Sequence, residues 1–377
     1  MSKTLQDYAT LINDTIQSNE INHYITTDNM CQNLGGIDTF KNINIPQGKV
    51  RSFQKDDVLL SNIRLYFRKV YRAKQKGGCS SDVLVFRAKH IDSTTLFAIL
   101  SSQIFTDYAC SGSQGSKMPR GNKTHMMDFK IPTINFTIAK IFNSIQNKIE
   151  NNHKINELLH KILELLYEQY FVRFDFLDEN NKPYQTSGGK MKFSKELNRL
   201  IPSGWSVRFL NHKIVSTYQP KTISKTLLND SYSYSVYGGG GIIGRFTEYN
   251  HEQSEFIISC RGQCGISYLT LPKSWITGNA MVIRPTKSYT SKTYLYHTIN
   301  KYKLTNYITG SVQPQITRQN LSTMPILIPK RKTLNKWNNI SSLLWNLIHN
   351  NMQSTQTLTA LRDFLLPLLL TQQVKPQ

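Results

Sequence analysis

Acidic side chains are scarce in this sequence. Its 377 residues carry 24 Asp and Glu against 46 Lys and Arg, a net charge of 46 − 24 = +22. Such an excess points to a polyanion: DNA, RNA or an anionic membrane face. Long hydrophobic runs are missing too. The nearest, Phe364 to Leu370, is seven residues long and interrupted by Pro367, far short of the ~20 needed to span a bilayer. Met1 to Glu20 is polar throughout, so no signal peptide is expected. The five cysteines, Cys31, Cys79, Cys110, Cys260 and Cys264, are an odd count and read as reduced thiols in a cytoplasm.

Catalytic signatures are equally thin. The sequence has no Walker motif, which argues against an ATP motor, and no clustered carboxylates of the kind a nuclease uses. An adenine methyltransferase needs a Pro-Pro-aromatic loop. The nearest segment, Asn181-Lys-Pro-Tyr184, lacks the first proline and lies in a polar stretch. Gly239-x-Gly241-x-x-Gly244 fits the dinucleotide fingerprint formally, but strand-like residues follow it where a phosphate cradle requires a helix. A glycine turn that lets backbone approach DNA closely is the better reading. Cys260-x-x-x-Cys264 has no second pair to complete a zinc site, so no metal site is expected.

What the chain does contain, it contains twice. The segment Ile145 to Leu166 lies ungapped on Leu344 to Leu365 at an offset of 199, with Asn147 on Asn346, Ile149 on Ile348 and Asn152 on Asn351. Upstream the echo continues at nearly the same offset. Asp57-Val-Leu-Leu-Ser61 matches Glu255-Phe-Ile-Ile-Ser259, and Val85-Phe-Arg87 matches Val282-Ile-Arg284. Gly112-Ser113 matches Gly310-Ser311, Arg120-x-Asn122 matches Arg318-x-Asn320, and Ile131-Pro132 matches Ile328-Pro329. A duplicated unit tends to build a pseudo-twofold molecule, which suits a bipartite target.

Each unit opens with a mixed phase and closes with a helical one. In the first, Val58–Leu60 and Val83–Arg87 read as strands and 96–108 as a helix. The helical phase, about Ile138 to Tyr170, carries a near-heptad stripe of Ile145, Ile149, Asn152, Ile155, Leu159, Ile162, Leu166 and Tyr170. The second stripe is Leu344, Ile348, Asn351, Leu358, Leu361, Leu365 and Leu368. Matching stripes most simply bury against each other; the alternative packs each helix on its own mixed domain. Asn152 and Asn351 sit at equivalent seam positions, where a buried Asn pair would fix register.

The expected fold class is α+β, with two mixed α/β domains related by pseudo-twofold symmetry and separated by two long antiparallel coiled-coil helices. The expected boundaries are 1–135 for the first mixed domain, 136–170 for the central spacer helix and 171–200 for a polar linker. The second mixed domain follows at 201–330 and the C-terminal spacer helix at 331–373.

Positive charge is concentrated in both mixed phases. Arg51 to Lys89 holds ten basic residues against Asp56, Asp57 and Asp82. Lys273 to Lys303 holds six and no acid, interleaved with Trp275, Tyr289, Tyr294, Tyr296 and Tyr302. Lys and Arg facing phosphates supply affinity, while Arg, Asn, Gln and Ser at base edges supply sequence choice. The residues expected to touch DNA are Arg64, Arg68, Lys117 and Arg120 in the first half. In the second they are Arg245, Arg261, Gln313, Gln315 and Arg318. Arg87 and Arg284, beside apolar strands, read as strand-edge caps.

Several stretches in order carry a family resemblance: Leu165-Leu-Tyr-Glu-Gln-Tyr-Phe-Val-Arg-Phe-Asp-Phe176, Ser187-Gly-Gly-Lys-Met191, Ile201-Pro-Ser-Gly-Trp205, Val236-Tyr-Gly-Gly, Ile257-Ile-Ser-Cys-Arg-Gly262 and Thr309-Gly-Ser311. Leu361-Arg-Asp-Phe-Leu-Leu-Pro367 completes the series, and Asp57 to Asn62 and Gly115 to Arg120 add to it in the first half. With the duplication, they make the chain resemble the specificity subunit of bacterial type I restriction–modification enzymes over essentially its whole length. The first half departs from that pattern in lacking an Ile-Pro-x-x-Trp opening, which implies a first domain short at its amino end.

The resemblance implies a DNA reader with no chemistry or cofactor of its own. Each mixed domain would be a target-recognition domain that takes one half of a split target in the major groove of double-stranded DNA, with the helices as a ruler between them. Two modification (methyltransferase) subunits would dock and carry S-adenosylmethionine. Restriction subunits, with translocase and nuclease activity, would bring ATP and Mg. Two other classes compete: a self-contained DNA-modifying enzyme (adenine methyltransferase or nuclease), and a coiled-coil scaffold binding nucleic acid without sequence preference. An RNA binder stacking bases on Tyr289 or Tyr294 is a third.

Overall fold

Short apolar runs bounded by polar turns make buried strands, and two such runs anchor the computed structural model. It describes residues 3–38, 41, 43–131, 134–229, 232–311 and 313–370. Positions 1–2, 39, 40, 42 and 132–133 of the expected first domain, 230, 231 and 312 of the expected second, and 371–373 of the expected last helix lie outside the described residues. The chain divides into a first unit, Met1–Ile155 with Asn351–Gln377, and a second unit, Asn156–Asn350.

In the first unit Val58–Ser61 is buried at all four positions. It lies between Val83–Ala88 and Val70–Arg72 in a four-stranded antiparallel sheet whose other edge is Ala9–Ile12. A second sheet runs Thr15–Gln17, Lys49–Phe53, Gly77–Cys79 and Tyr24–Ile25 in order, its last pair parallel. The helix expected over 96–108 is two helices, Ser93–Ser101 and Gln103–Ser111. Ser102 stands extended between them, and its hydroxyl caps the second by accepting from Phe105 N at 3.2 Å. Leu96 to Leu100 of the first of these helices joins Leu5, Val58, Phe86, Phe105, Phe142, Leu366 and Leu370 in one core.

In the second unit Phe256–Ser259 takes the place of Val58–Ser61. It lies between Ala280–Pro285 and Ser267–Leu269, with Val215–Tyr218 at the edge. The segment Gly241–Phe246, Tyr234–Gly238 and Trp275–Ile276 forms a separate three-stranded sheet. The stretch expected as a linker over 171–200 is more than that. Phe171, Phe174 and Phe176 are buried around Trp205, with ring centroids 6.0, 5.6 and 5.1 Å from it. Met191–Ser194 and Arg199–Pro202 then form a hairpin. The polar turns had masked the three phenylalanines.

Two long helices serve both units. The first, Phe136–Tyr167, begins at Asn135, whose side chain accepts from Ile138 N at 3.2 Å, and closes in a π turn over Glu168–Val172. The second spans Arg331–Leu365. In the first unit Gln146 meets Arg362 and Asn152 meets Thr355. In the second, Asn156 meets Ile348, His160 meets Trp345, and Tyr167 meets Trp337. One number rises as the other falls, so within each unit the helix segments run antiparallel.

The buried stripe departs from the apolar one. Ile155, Ile162 and Leu361 are exposed, while Asn156, His160 and Arg362 take the inward positions beside them. Polar and imidazole side chains build the middle of the seam, which a reading by apolar spacing displaces by one residue. Asn152 is 1% exposed and its amide donates to Thr355 Oγ1 at 3.2 Å, while Asn351 is half-buried.

Candidate nucleic-acid interface

The loop after each central strand leans on a hairpin that runs into a short capped helix. In the first unit, Ile63 and Arg120 form a lone β-bridge, Arg64 N donates to Pro119 O at 2.9 Å, and Gly121 N donates to Asn62 O at 3.1 Å. The hairpin closes with Gln114 and Arg120 exchanging backbone hydrogen bonds of 2.9 and 2.8 Å across a turn that needs Gly115 at φ +98°. Asn122 then caps the helix Lys123–Met127 by accepting from His125 N. In the second unit Arg261 and Gln315 form the lone bridge, and Ile316 N donates to Cys260 O at 3.0 Å. Thr309 pairs with Gln315 across a turn holding Gly310 at φ +92°, and Thr317 caps the helix Arg318–Leu321.

These contacts gather the expected DNA residues into one cluster per unit, with one exception. Arg64 donates through a guanidinium NH2 to Lys117 O at 3.3 Å, and Lys117 itself is exposed. Arg120 reaches Asp82 at 2.9 Å yet keeps 62% of its side chain exposed. In the second unit Arg261, Gln313, Gln315 and Arg318 are all exposed, and the Arg318 guanidinium donates to Thr217 O. Arg245 lies on the hairpin over Tyr234–Phe246 and donates to Ser233 O at 2.6 Å. That hairpin packs on the Arg261 loop, where a Cβ on Gly239 would fall 2.9 Å from Arg261 O. The glycine that seemed suited to approaching DNA therefore makes room for the protein's own carbonyl.

The exception is Arg68. Its side chain is only 14% exposed, its guanidinium donates to Ser101 O at 2.9 Å, and Asp363 lies 3.9 Å away. Burial pushes its pKa down, with the Asp363 charge opposing. It ties the loop to the end of the second long helix and is not placed to meet a phosphate.

Several other basic side chains are engaged within the protein. Arg87 holds Asp57 by two bonds of 2.8 Å, and Arg284 holds Glu255 at 2.7 Å, so both are ion-pair anchors of the central strand and not edge caps. The hydrogen bonds raise both guanidinium pKa values. Arg72 pairs with Asp56, Lys74 with Glu150, and Lys292 donates to Ser254 O with its pKa lowered by burial. Tyr294 is fully buried and donates to Leu327 O, so it cannot stack on a base.

Two further exposed side chains, Tyr66 and Met118, lie on the loops of the first cluster. Their signal lay in the flanks: Arg64-Leu-Tyr-Phe-Arg68 and Ser116-Lys-Met-Pro-Arg120 each set an apolar residue among basic ones.

Among the described residues no group of three or more His, Cys, Asp and Glu is arranged to hold a metal ion, and no helix is long and apolar enough to cross a membrane. Cys260 is buried, with its pKa raised by that burial, and donates to Asn279 O at 3.4 Å.

Known proteins share this arrangement. Residues 202–360 match the family model of the type I restriction modification DNA specificity domain. The specificity subunit of the type I restriction enzyme MjaIX from Methanocaldococcus jannaschii is 21% identical over 312 residues, covering 73% of this chain and 67% of that protein. The crystal structure of a type I restriction–modification S subunit from M. genitalium has the same fold. It superposes at a TM-score of 0.63 with 14% identity, over 99% of this chain and 96% of that one. The fold is thus the mixed α/β one of an S subunit. Within residues 202–360 the chain matches that DNA specificity domain, and as a whole it is similar to specificity subunits of type I restriction–modification enzymes. Neither the self-contained enzyme nor the unspecific scaffold is favoured by these findings.

Proposed function

We propose that the chain reads a split sequence in duplex DNA, one half with each unit, and carries no catalysis of its own. The observation that supports this most directly is the repeated loop-and-hairpin cluster. It presents Arg64, Lys117 and Arg120 in one unit and Arg261, Gln313, Gln315 and Arg318 in the other, with Arg245 beside them. Guanidinium and amide groups at base edges discriminate bases, and lysines hold phosphates. The two long helices act as spacer and related halves of a pseudo-twofold, coiled-coil-like strut. The first is about 48 Å long at 1.5 Å per residue. Asn152 and Asn351 help fix its register.

On this reading the partners are double-stranded DNA, two modification subunits and the restriction subunits, with no membrane. S-adenosylmethionine, ATP and Mg belong to those subunits. The test is to co-express the chain with its modification subunits and map adenine methylation by sequencing. A split, asymmetric motif is expected, and Arg261→Ala with Gln315→Ala should relax one half while leaving the other intact. Methylation without a split motif, or loss of both halves together, would overturn it.

A further inference from the structure

Tyr66 and Met118 are each 53% exposed, although both belong to loops otherwise tied down by hydrogen bonds. Tyr66 crowns the three-residue 3-10 turn Leu65–Phe67. That turn is bracketed by Arg64 and Arg68, both left-handed, at φ +50° and +48°. Non-glycine residues adopt this conformation at a cost, and the surroundings must hold them in it. Here they do. Arg68 is buried against Ser101 O and Asp363, Arg64 is pinned at its N–H by Pro119 O and at its guanidinium by Lys117 O, and Leu65 sits in the core. The Tyr66 ring leans edge-on against Phe67 at 4.7 Å. Met118 stands between Lys117 and Pro119 on the hairpin that Arg64 grips. A strained, well-anchored turn that leaves an aromatic ring half in solvent, tied through Ile63 and Arg64 to the hairpin that carries exposed Lys117, Met118 and Arg120, has no role in the core.

We propose that Tyr66 and Met118 are the apolar specificity contact of the first unit, meeting the major-groove edge of an A·T pair at the thymine methyl group. The inference rests on the DNA-reading function above and names what this cluster recognises. The surrounding cations fit a phosphate-flanked groove. The one apolar feature that a major groove offers is the C5-methyl of thymine, which discriminates T from C and from uracil. Mapping of methylated adenines supplies the half-sites, each of which contains thymine opposite the modified adenine.

The experiment measures affinity by fluorescence anisotropy, using the chain with its modification subunits and duplexes carrying the mapped motif. Deoxyuridine replaces thymine one position at a time in the half-site relaxed by Arg120→Ala. The wild type is expected to lose roughly tenfold at one position. Tyr66→Ala and Met118→Ala should each lose a comparable factor on the thymine duplex and little more on the uracil duplex, while random-sequence duplex is bound as before. Tyr66→Phe should behave as the wild type. Both side chains are half-exposed, so the two alanine variants are expected to melt with the wild type, and each checks the other. Equal affinity of the wild type for all thymine and uracil duplexes overturns the inference. So do a deficit that extends to random sequence, and a loss in Tyr66→Phe, which would assign the contact to the hydroxyl. A wild type that does not prefer its motif over random sequence overturns the proposed function itself.

Discussion

Two stretches of helix pair do the same job with opposite chemistry. In the repeat that lies ungapped at an offset of 199, Gln146 matches Trp345, Glu150 matches His349, and Arg362 matches Leu163. The first unit therefore closes its helix pair with Gln146, Glu150 and Arg362. Arg362 is 1% exposed, donates to Gln146 Oε1 at 3.1 Å and lies 3.0 Å from Asp363. Lys74 joins from the mixed region, 3.3 Å from Glu150. The second unit closes with rings and a fully buried Leu163. Trp345 packs on His160 and His349 at 5.0 and 5.8 Å, Tyr167 stacks on His297 at 5.6 Å, and Trp337 meets Tyr167 edge-on at 5.8 Å. The difference teaches that the antiparallel scheme does not dictate what fills it. Directional hydrogen bonds of a buried cation hold one side. Area and shape hold the other, with a small cavity of about 110 Å³ left beside His160 and His297.

All four tryptophans, Trp205, Trp275, Trp337 and Trp345, lie in the second unit, so tryptophan fluorescence follows that unit and hydrogen exchange can follow the first. The largest expected effect is Trp337→Ala. Removing a fully buried indole should cost about 3–5 kcal/mol and lower the fluorescence-detected melt, with exchange in Ala9–Ile12 and Val58–Ser61 unchanged. If the first unit loosened equally, the two closures would not be independent.

Acid comes next. Burial pushes the His297 imidazole down to about 3 and the His349 imidazole down to about 4, reinforced by nearby His160, Lys301 and Lys292. Both stay neutral in the fold, whereas in the unfolded chain they protonate near 6.5. The unfolded state thus takes up protons first as pH falls. Stability of the second unit is full above about 6.5 and is lost progressively as pH falls, down to about 4 for His349 and about 3 for His297, by about 2 kcal/mol per histidine at pH 5. Melts at pH 7.5 and 5, with and without His297→Gln, check it. An identical acid shift in the variant would refute the assignment.

Arg362→Leu copies Leu163 into the first unit and strands Gln146. It should cost about 1–3 kcal/mol, and Gln146→Leu added to it should restore most of that, read as exchange protection. If the double change were as damaging as the sum of the two, the polar closure would be doing more than holding its own partners. The smallest effect is expected for Asn152→Leu. It should move stability by less than about 1.5 kcal/mol, because one neutral bond to Thr355 is exchanged for apolar area.

Val58–Leu60 was legible as a strand because it is apolar at every position, and Phe256–Ser259 repeats its pattern. The long helices were legible because their repeat agrees over many turns. The seam was displaced for a physical reason: Arg362 is buried, and Asn156 and His160 half-buried, against partners far away in sequence, and apolar spacing cannot register an inward polar group. The site divided in the same way. The exposed Arg, Lys and Gln of the two hairpins followed from charge and repeat. Arg68 did not, since its removal from the surface depends on Ser101 and Asp363. Tyr66 and Met118 escaped because an exposed apolar residue is unremarkable until the loops around it are seen to be held.

The first unit draws Leu366, Leu369 and Leu370 into the same core as Leu5 and Phe86, whereas Asn156–Asn350 is one unbroken stretch. During synthesis the later-encoded half can therefore close its core while the earlier one still waits for residues more than two hundred positions downstream. The usual amino-to-carboxyl order of domain folding is inverted, and the unit that emerges first from the ribosome depends longest on remaining open without aggregating.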